Sequence, residues 1–291
     1  MNRILKDLVS LLDLETLEVN LFRGQSRDLG GTSVFGGQVI GQALVAAGRT
    51  ADSAVPHSLH AYFLRPGDMS LPIVYEVDRV RDGRTFVTRR VQAIQNGHPI
   101  LSMIASFQHT EDGPEHQIAM PDVPPPEKLA SMKDLTDKWI DATPDIPDRV
   151  YYALTRELAI EFKPVTPWNL LDPTREPPTQ NIWFRAAGEL PDDPVLHRCV
   201  LAYASDFNLL STALRPHGKS WYTRGMVIAS IDHALWFHRD VRVDDWLLYS
   251  MDSPTSQGAR GLSRGLIYDR NGRLVASVAQ ESLMREINPK P

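Results

Sequence analysis

The chain has 291 residues, enough to bury the core of one large domain or of two domains of roughly 100 to 150 residues each. Its hydrophobic share of 42% and charged share of 23% are ordinary for a globular protein, and its net charge of −5 argues against a nucleic-acid partner. No apolar run approaches the roughly 18 residues that span a bilayer, so no stable membrane anchor is predicted.

The two ends and the cysteine content predict a cytoplasmic location. The start, MNRILKDLVSLLDLE, carries acidic residues through its apolar stretch and lacks a small-residue cleavage site, so we expect an amphipathic surface helix there. The single cysteine, Cys199, excludes an internal disulfide framework and is typical of a reducing compartment. The final NPKP is not a peroxisomal address of the S-K-L type.

The predicted elements follow the same order in two parts of the chain. Residues 36–50, GGQVIGQALVAAGRT, have apolar residues at helical spacing, and strands such as LPIVYEV at 71–77 follow. A second helix is predicted for residues 196–214, LHRCVLAYASDFNLLSTAL, and is again followed by strands such as DWLLYSM at 245–251. One helix with a long antiparallel sheet in each part indicates an α+β layer.

The two parts also match in sequence. His60 in HSLHAYFLRPGD aligns with His233 in SIDHALWFHRDV, and the Asn-Gly pair at 96–97 aligns with the pair at 271–272. Each Asn-Gly pair is typical of a type I′ hairpin. The separation stays near 160 to 175 residues with the segments in the same order, which predicts a duplicated domain.

The duplication divides the chain into three parts. We expect an N-terminal domain at 1–110, a linker at 111–150 and a C-terminal domain at 151–291. The linker is indicated by EDGPEHQIAMPDVPPPEKLAS at 111–131, which is rich in proline and charge.

The stretch GLSRG at 261–265 fits the G-x-S-x-G pattern of a serine nucleophile. That motif needs a strand, a sharp turn and a helix, with a histidine later in the chain. Ser263 is followed by a hairpin sequence and no histidine lies beyond His238, so we interpret Ser263 as an ordinary strand residue. GKS at 218–220 lacks the earlier glycine of a P-loop, and the nine histidines show no metal-binding spacing, so no cofactor or metal is predicted.

Three polar residues of the second copy stand among apolar neighbours. Asp206 in AYASDFNLL is expected on the core side of its helix, where an unpartnered carboxylate is costly; the alternative is a helix-edge acid satisfied by a backbone amide. Gln280 alternates with apolar residues, so its amide is expected on an apolar strand face or at a solvated strand end. Ser230 shares a strand face with Met226 and Ile228, where serine is common.

The chain resembles a known family along nearly its whole length. DHALWFHR at 232–239 and HAYFLRPGD at 60–68, with FGGQVIGQAL at 35–44, are similar to the acyl-CoA thioesterase II family, the TesB-type double-hotdog enzymes. The resemblance extends from about residue 10 to residue 286. It implies an α+β fold with a tandem (double) hotdog, in which two helix-wrapped antiparallel sheets join into one extended sheet.

The resemblance also implies a site and an activity. The family's catalytic Asp, Ser or Thr, and Gln fall on Asp206, Ser230 and Gln280. The resemblance implies hydrolysis of fatty acyl-CoA to free fatty acid and CoA without a cofactor, broad chain-length tolerance, and a homodimer or homotetramer. Our hypothesis is that Asp206 takes a proton from a water that Ser230 and Gln280 hold.

The first copy lacks this trio. Ala105 stands where Gln280 stands in the second copy, so we expect one active centre per chain. Gly36 and Gly37 open the first-copy helix and are candidates either for an oxyanion site or for close packing. His60 and His233 are expected to be hydrogen-bonded core residues.

Two other functions stay open at this point. A hotdog hydratase or dehydratase needs a base at the substrate Cα, for which Asp232 with His233 is the local candidate. A non-catalytic acyl-CoA sensor would bind acyl-CoA without turnover.

Overall fold

The computed structural model describes residues 1–52 and 54–287. The terminal NPKP, interpreted above as lacking a peroxisomal address, lies outside the described residues. The helices are α1 (Arg3–Leu12), α2 (Gly36–Gly48), α3 (Met132–Asp141), α4 (Asp148–Thr155), α5 (Pro194–Ser205) and α6 (Leu209–Leu214). The strands are β1 (Glu15–Glu18), β2 (Leu21–Gly24), β3 (Val55–Phe63), β4 (Ile73–Asp82), β5 (Phe86–Gln95), β6 (His98–Gln108), β7 (Ile160–Pro164), β8 (Thr179–Ala186), β9 (Met226–Ser230), β10 (Asp232–Phe237), β11 (Leu247–Gln257), β12 (Arg260–Tyr268) and β13 (Leu274–Glu286).

These strands form one antiparallel sheet that runs through both copies. The order is β1-β2-β4-β5-β6-β3-β10-β13-β12-β11-β8-β7, and β9 pairs with β13. The copies meet where β3 pairs with β10, and there Leu59 lies opposite Leu235, both fully buried. The expected α+β arrangement, with the two sheets joined into one, is therefore present. None of the described helices is long and apolar enough to cross a membrane.

Helices α2 and α5 pack against each other, and glycine permits their close approach. A Cβ added to Gly37 would lie 2.3 Å from the Tyr203 carbonyl oxygen, and one added to Gly41 would lie 3.3 Å from the Cys199 carbonyl oxygen. The four-residue spacing puts both glycines on one face of α2. Because the contact positions rise along α2 while they fall along α5, the two helices run antiparallel.

The single helix predicted for residues 196–214 is interrupted, and this prediction was wrong. Helix α5 ends at Ser205, Asn208 takes a left-handed backbone conformation with φ of 65°, and α6 begins at Leu209. Two hydrogen bonds from the sheet stabilise this break between α5 and α6. Tyr249 donates its hydroxyl to the Ser205 carbonyl, and the Gln180 amide donates to the Asn208 carbonyl. The interruption places Asp206 at a helix end.

The two predicted type I′ hairpins differ. Asn96 and Gly97 both have positive φ, 49° and 73°, in a two-residue turn between β5 and β6, which confirms the first prediction. Between β12 and β13 the connection spans residues 269–273, and there Gly272 has positive φ. The Asp269 carboxylate accepts the backbone N–H groups of residues 271 and 273 and stabilises this wider loop, so the second prediction was wrong.

The segment at 111–150 contains α3 and the first residues of α4. Helix α3 begins with a capping box between Ser131 and Asp134. Ahead of it, the proline-rich stretch contacts the second copy, because the Trp183 indole N–H donates to the Pro124 carbonyl and the Lys163 ammonium donates to the Pro126 carbonyl. This part of the segment therefore follows the surface of β7 and β8.

Candidate active site

Asp206 joins the two copies. It directly follows α5, is half-buried, and its carboxylate Oδ2 accepts the backbone N–H of Gly37 at 2.8 Å. That N–H belongs to the first turn of α2, whose N-cap residue, Phe35, contributes no side-chain cap. The positive end of the helix dipole favours a carboxylate there. The sequence left open that Asp206 is a helix-edge acid that accepts a backbone N–H. It does accept one, but this N–H belongs to Gly37 of the first copy.

The surroundings of Asp206 make its carboxylate a stronger base. Burial raises the pKa of Asp206, and this outweighs the opposing effects of nearby His233, the Gly37 N–H, and the polar side chains of Ser230 and Gln280. A carboxylate with a raised pKa accepts a proton more readily than an ordinary aspartate.

Ser230 and Gln280 lie together beside Asp206. Ser230 is the last residue of β9, and Gln280 lies within β13 with its side chain buried. The Gln280 amide Nε2 donates to Ser230 Oγ at 3.0 Å and to Ser282 Oγ at 3.3 Å. The structure therefore brings the hydroxyl and the amide of the expected trio into hydrogen-bond contact, beside the carboxylate. Of the two alternatives for Gln280, the strand face is the observed one.

His233 contacts Gln280, and the sequence did not predict a place for it beside Asp206, Ser230 and Gln280. It is 1% exposed; its Nδ1 lies 2.7 Å from Gln280 Oε1 and its Nε2 lies 2.9 Å from Ser205 Oγ. The prediction of a hydrogen-bonded core histidine is confirmed for His233 and wrong for His60. His60 is exposed on the other face of the sheet, edge-on to Trp236 with ring centroids 5.1 Å apart.

The sequence alignment of the two histidines is therefore shifted by one residue. Leu59 lies opposite Ala105 across β3 and β6. His233 directly precedes the Ala234–Ala279 pair, so the same antiparallel register puts it opposite Gln280 across β10 and β13. Leu59 is thus the counterpart of His233, as Ala105 is of Gln280. The alternation of buried and exposed residues along β3 and β10 identifies this one-residue shift, because His60 and His233 fall on opposite faces.

Asp232 and His233 do not form a catalytic pair. Consecutive residues of a strand point to opposite faces of the sheet. Asp232 accepts the backbone N–H of Glu281 at 2.7 Å, while the His233 ring points inward to Gln280. Asp232 and His233, the pair that the sequence suggested for hydratase chemistry, therefore lie on opposite faces of the sheet.

Gly36 and Gly37 are explained by contacts rather than by a vacant anion site. The Gly37 N–H is used by Asp206. A Cβ on Gly36 would lie 2.8 Å from Asp206 Oδ2 and 2.8 Å from the Phe63 ring. Gly36 needs to be glycine so that the carboxylate can approach the helix N-terminus, and Gly37 so that α2 can approach Tyr203 of α5. Over the described residues, no group of three or more His, Cys, Asp or Glu side chains is arranged to hold a metal ion.

The G-x-S-x-G stretch lies in the middle of β12. Ser263 pairs with Gln280 of β13, and its neighbours Gly261 and Gly265 share its inward face. A Cβ on Gly265 would lie 2.2 Å from the Tyr249 ring, and one on Gly261 would lie 2.7 Å from the Ala213 Cβ. The glycines therefore permit close packing, and no sharp turn carries Ser263. Its interpretation as a strand residue is confirmed.

Ser263→Ala is expected to retain the activity of the unsubstituted protein and to leave the free energy of unfolding unchanged or up to about 1 kcal/mol higher. The Ser263 Oγ is buried and has no hydrogen-bond partner among the described residues, so its removal relieves an unfavourable desolvation. Steady-state kinetics and urea unfolding check this. A large loss of turnover with the fold intact would contradict a purely structural Ser263.

The fold is shared with solved double-domain structures. A conserved protein with a hot dog fold from Alicyclobacillus acidocaldarius aligns with a TM-score of 0.77 at 18% identity, over 97% of this chain and 99% of that chain, which shows the fold alone. The acyl-CoA thioesterase II TesB2 of Mycobacterium marinum aligns with a TM-score of 0.78 at 44% identity, over 97% of this chain and 99% of that chain. The expected double hotdog is therefore confirmed.

Sequence comparisons identify the family. Residues 158–283 match the family model described as acyl-CoA thioesterase, and residues 25–108 match the model described as acyl-CoA thioesterase N-terminal domain. Acyl-CoA thioesterase 2 of Haemophilus influenzae is 42% identical over 286 residues, covering 98% of this chain and 99% of the relative. The chain belongs to the acyl-CoA thioesterase family, whose members are thioester hydrolases.

Proposed function

We propose that this protein hydrolyses fatty acyl-CoA to free fatty acid and CoA with a water activated by Asp206, Ser230 and Gln280. Family membership supports the reaction. The observation that carries the residue assignment is a carboxylate with a raised pKa beside a hydroxyl and a primary amide that are hydrogen-bonded to each other. No covalent acyl-enzyme is needed.

The proposed reaction is a single displacement by water. The water oxygen attacks the thioester carbonyl carbon while one of its protons passes to the Asp206 carboxylate. The tetrahedral intermediate then collapses, the C–S bond breaks, and the CoA thiolate takes up the proton that Asp206 accepted. Ser230 and Gln280 hydrogen-bond the water and direct its lone pair at the carbon.

Ser230 is proposed to hold water rather than to attack. A serine nucleophile needs an adjacent base to remove its proton. The nearby histidine is not available for that role, because the two ring nitrogens of His233 contact Gln280 and Ser205. Ser230 Oγ accepts the Gln280 amide N–H, and the base beside it, Asp206, is assigned in this proposal to the attacking water.

Ser230→Thr and Ser230→Ala form a matched pair. We expect Ser230→Thr to keep kcat/KM within about tenfold, because the hydroxyl remains and a β-branched residue suits a strand. Ser230→Ala is expected to lower kcat/KM about 100- to 1000-fold, the loss typical when one hydrogen-bonding group that acts in the transition state is removed. Kinetics of both variants check this. Equal activity of the two variants would show that the hydroxyl has no role.

Three further properties are proposed with this function. We propose one active centre per chain, because the first copy has the apolar pair Leu59 and Ala105 in place of His233 and Gln280. A homodimer or homotetramer and broad chain-length tolerance follow from the family resemblance. A cytoplasmic location is supported by the free, buried thiol of Cys199, whose pKa burial raises to about 12.

The proposal is tested by CoA release, followed with a thiol reagent, from acyl-CoAs of short to long chain. Turnover of fatty acyl-CoAs is the expected result. If CoA is not released from any chain length, a crotonyl-CoA and 3-hydroxyacyl-CoA absorbance assay identifies a hydratase, and calorimetric binding without turnover identifies a sensor.

A further inference from the structure

We propose that His233 is a positioning residue that fixes the orientation of the Gln280 side-chain amide. The inference rests on the proposed function, in which that amide holds the attacking water. His233 does not touch the reacting atoms in this account; it acts through Gln280.

The Gln280 amide has two possible orientations, and only one of them suits the site. A carboxylate accepts hydrogen bonds and donates none, so the NH₂ group is the end of the Gln280 amide that suits the side of Asp206. The same NH₂ group reaches Ser230 Oγ and Ser282 Oγ. The amide oxygen Oε1 then points away from the trio and needs a donor, because it is buried.

His233 supplies that donor. Its Nδ1 lies 2.7 Å from Gln280 Oε1, and Oε1 can only accept, so the proton sits on Nδ1. This holds for the neutral ring and for the charged ring alike. On its far side Nε2 contacts Ser205 Oγ at 2.9 Å, which restrains the ring. With His233 only 1% exposed, bulk water does not compete for these bonds.

The position of the ring links the two elements that carry the trio. Ser205 is the residue immediately before Asp206 at the end of α5, and Gln280 lies in β13. The imidazole therefore spans from the helix end that presents the carboxylate to the strand that presents the amide. A shift of either element changes the geometry of the other.

The first copy gives an internal comparison. Where the second copy has His233 opposite Gln280, the first has Leu59 opposite Ala105, and both of these residues are fully buried. The duplicated fold thus accepts an apolar pair at this place. The histidine and the amide occur together in one copy and are both absent from the other, as expected if the histidine serves the amide.

The test compares four variants: His233→Leu, His233→Asn, Gln280→Ala and the double variant His233→Leu/Gln280→Ala. Leucine removes the donor, whereas the asparagine amide is expected to place an N–H near the position of Nδ1. We expect His233→Leu to lower kcat at least tenfold with KM changed less than threefold. His233→Asn is expected to recover at least tenfold over His233→Leu.

The double variant separates positioning from an independent role. It reproduces the Leu59–Ala105 pair of the first copy, so we expect it to fold, as checked by thermal unfolding. If His233 acts through Gln280, the double variant has the kcat of Gln280→Ala alone. Losses that multiply, or equal activity of the leucine and asparagine variants, would overturn the positioning role and leave the proposed function standing. Wild-type turnover in Gln280→Ala would instead reject the role proposed for Gln280, and this inference with it.

Discussion

Asp206→Asn is expected to lower kcat/KM at least about a hundredfold, a loss of about 2.7 kcal/mol of transition-state stabilisation. Asparagine has nearly the same shape, and its Oδ1 still accepts the Gly37 N–H that Asp206 accepts at 2.8 Å. What it lacks is the capacity to take a proton from water. The measurement is CoA release by the variant and the wild type at equal protein concentration.

The stability of Asp206→Asn is the control for this result. Burial raises the pKa of Asp206 in the folded state. A raised pKa means that the folded protein loses stability as pH rises from the unfolded-state pKa, about 3.9, through the higher pKa of the folded state. The ionised carboxylate therefore destabilises the fold relative to a neutral side chain, and the variant should unfold at the same temperature as the wild type or higher. Wild-type turnover in a folded variant would show that Asp206 is not the base.

Gly37→Ala is expected to reduce the free energy of unfolding by about 3 kcal/mol and to lower turnover strongly. Its Cβ would lie 2.3 Å from the Tyr203 carbonyl oxygen and 2.5 Å from the Phe35 ring. Overpacking of this kind typically costs 1 to 3 kcal/mol, and here one neighbour is backbone that cannot rotate away. Separation of α2 from α5 also moves the Gly37 N–H from Asp206. Urea unfolding and kinetics measure the two effects.

Gly48→Ala is the matched control in the same helix. Its Cβ would meet the Phe107 ring at 3.9 Å, an ordinary contact. Alanine also favours the helix over glycine by about 1 kcal/mol. We therefore expect unchanged turnover and unchanged or higher stability. A similar loss in both variants would contradict the view that helix contact at Gly37 builds the site.

Local sequence patterns predicted the elements whose cause is local. The apolar spacing of GGQVIGQALVAAG predicted α2, which is observed as Gly36–Gly48. The Asn96-Gly97 pair predicted its two-residue turn, because both residues tolerate positive φ. The same reasoning failed at residues 269–273, where the Asp269 side chain stabilises a longer loop.

The features that the sequence did not reveal depend on contacts distant along the chain. The end of α5 at Ser205 depends on Tyr249 and Gln180, which approach from the sheet. The Gly37 N–H meets Asp206 across 169 positions of sequence, and no local pattern encodes that contact. Periodicity showed only that Asp206 stands among apolar residues.

The site residues were suggested by family resemblance rather than by pattern. On pattern alone, Ser230 was an ordinary strand serine and Gln280 was compatible with a solvated strand end. The structure shows their hydrogen bond, while their catalytic roles stay a proposal. His233 was missed as a site residue because its alignment with His60 concealed that the two rings point to opposite faces.

The most direct test of attack by water, without an acyl-enzyme, is a rapid-quench single turnover with enzyme in excess over a fatty acyl-CoA. CoA and free fatty acid are measured in each sample, together with the intact mass of the protein. Attack by water in one step predicts that CoA and fatty acid appear at the same rate and that no protein gains the mass of an acyl group. A burst of CoA ahead of fatty acid, with acylated protein at early times, would contradict the mechanism.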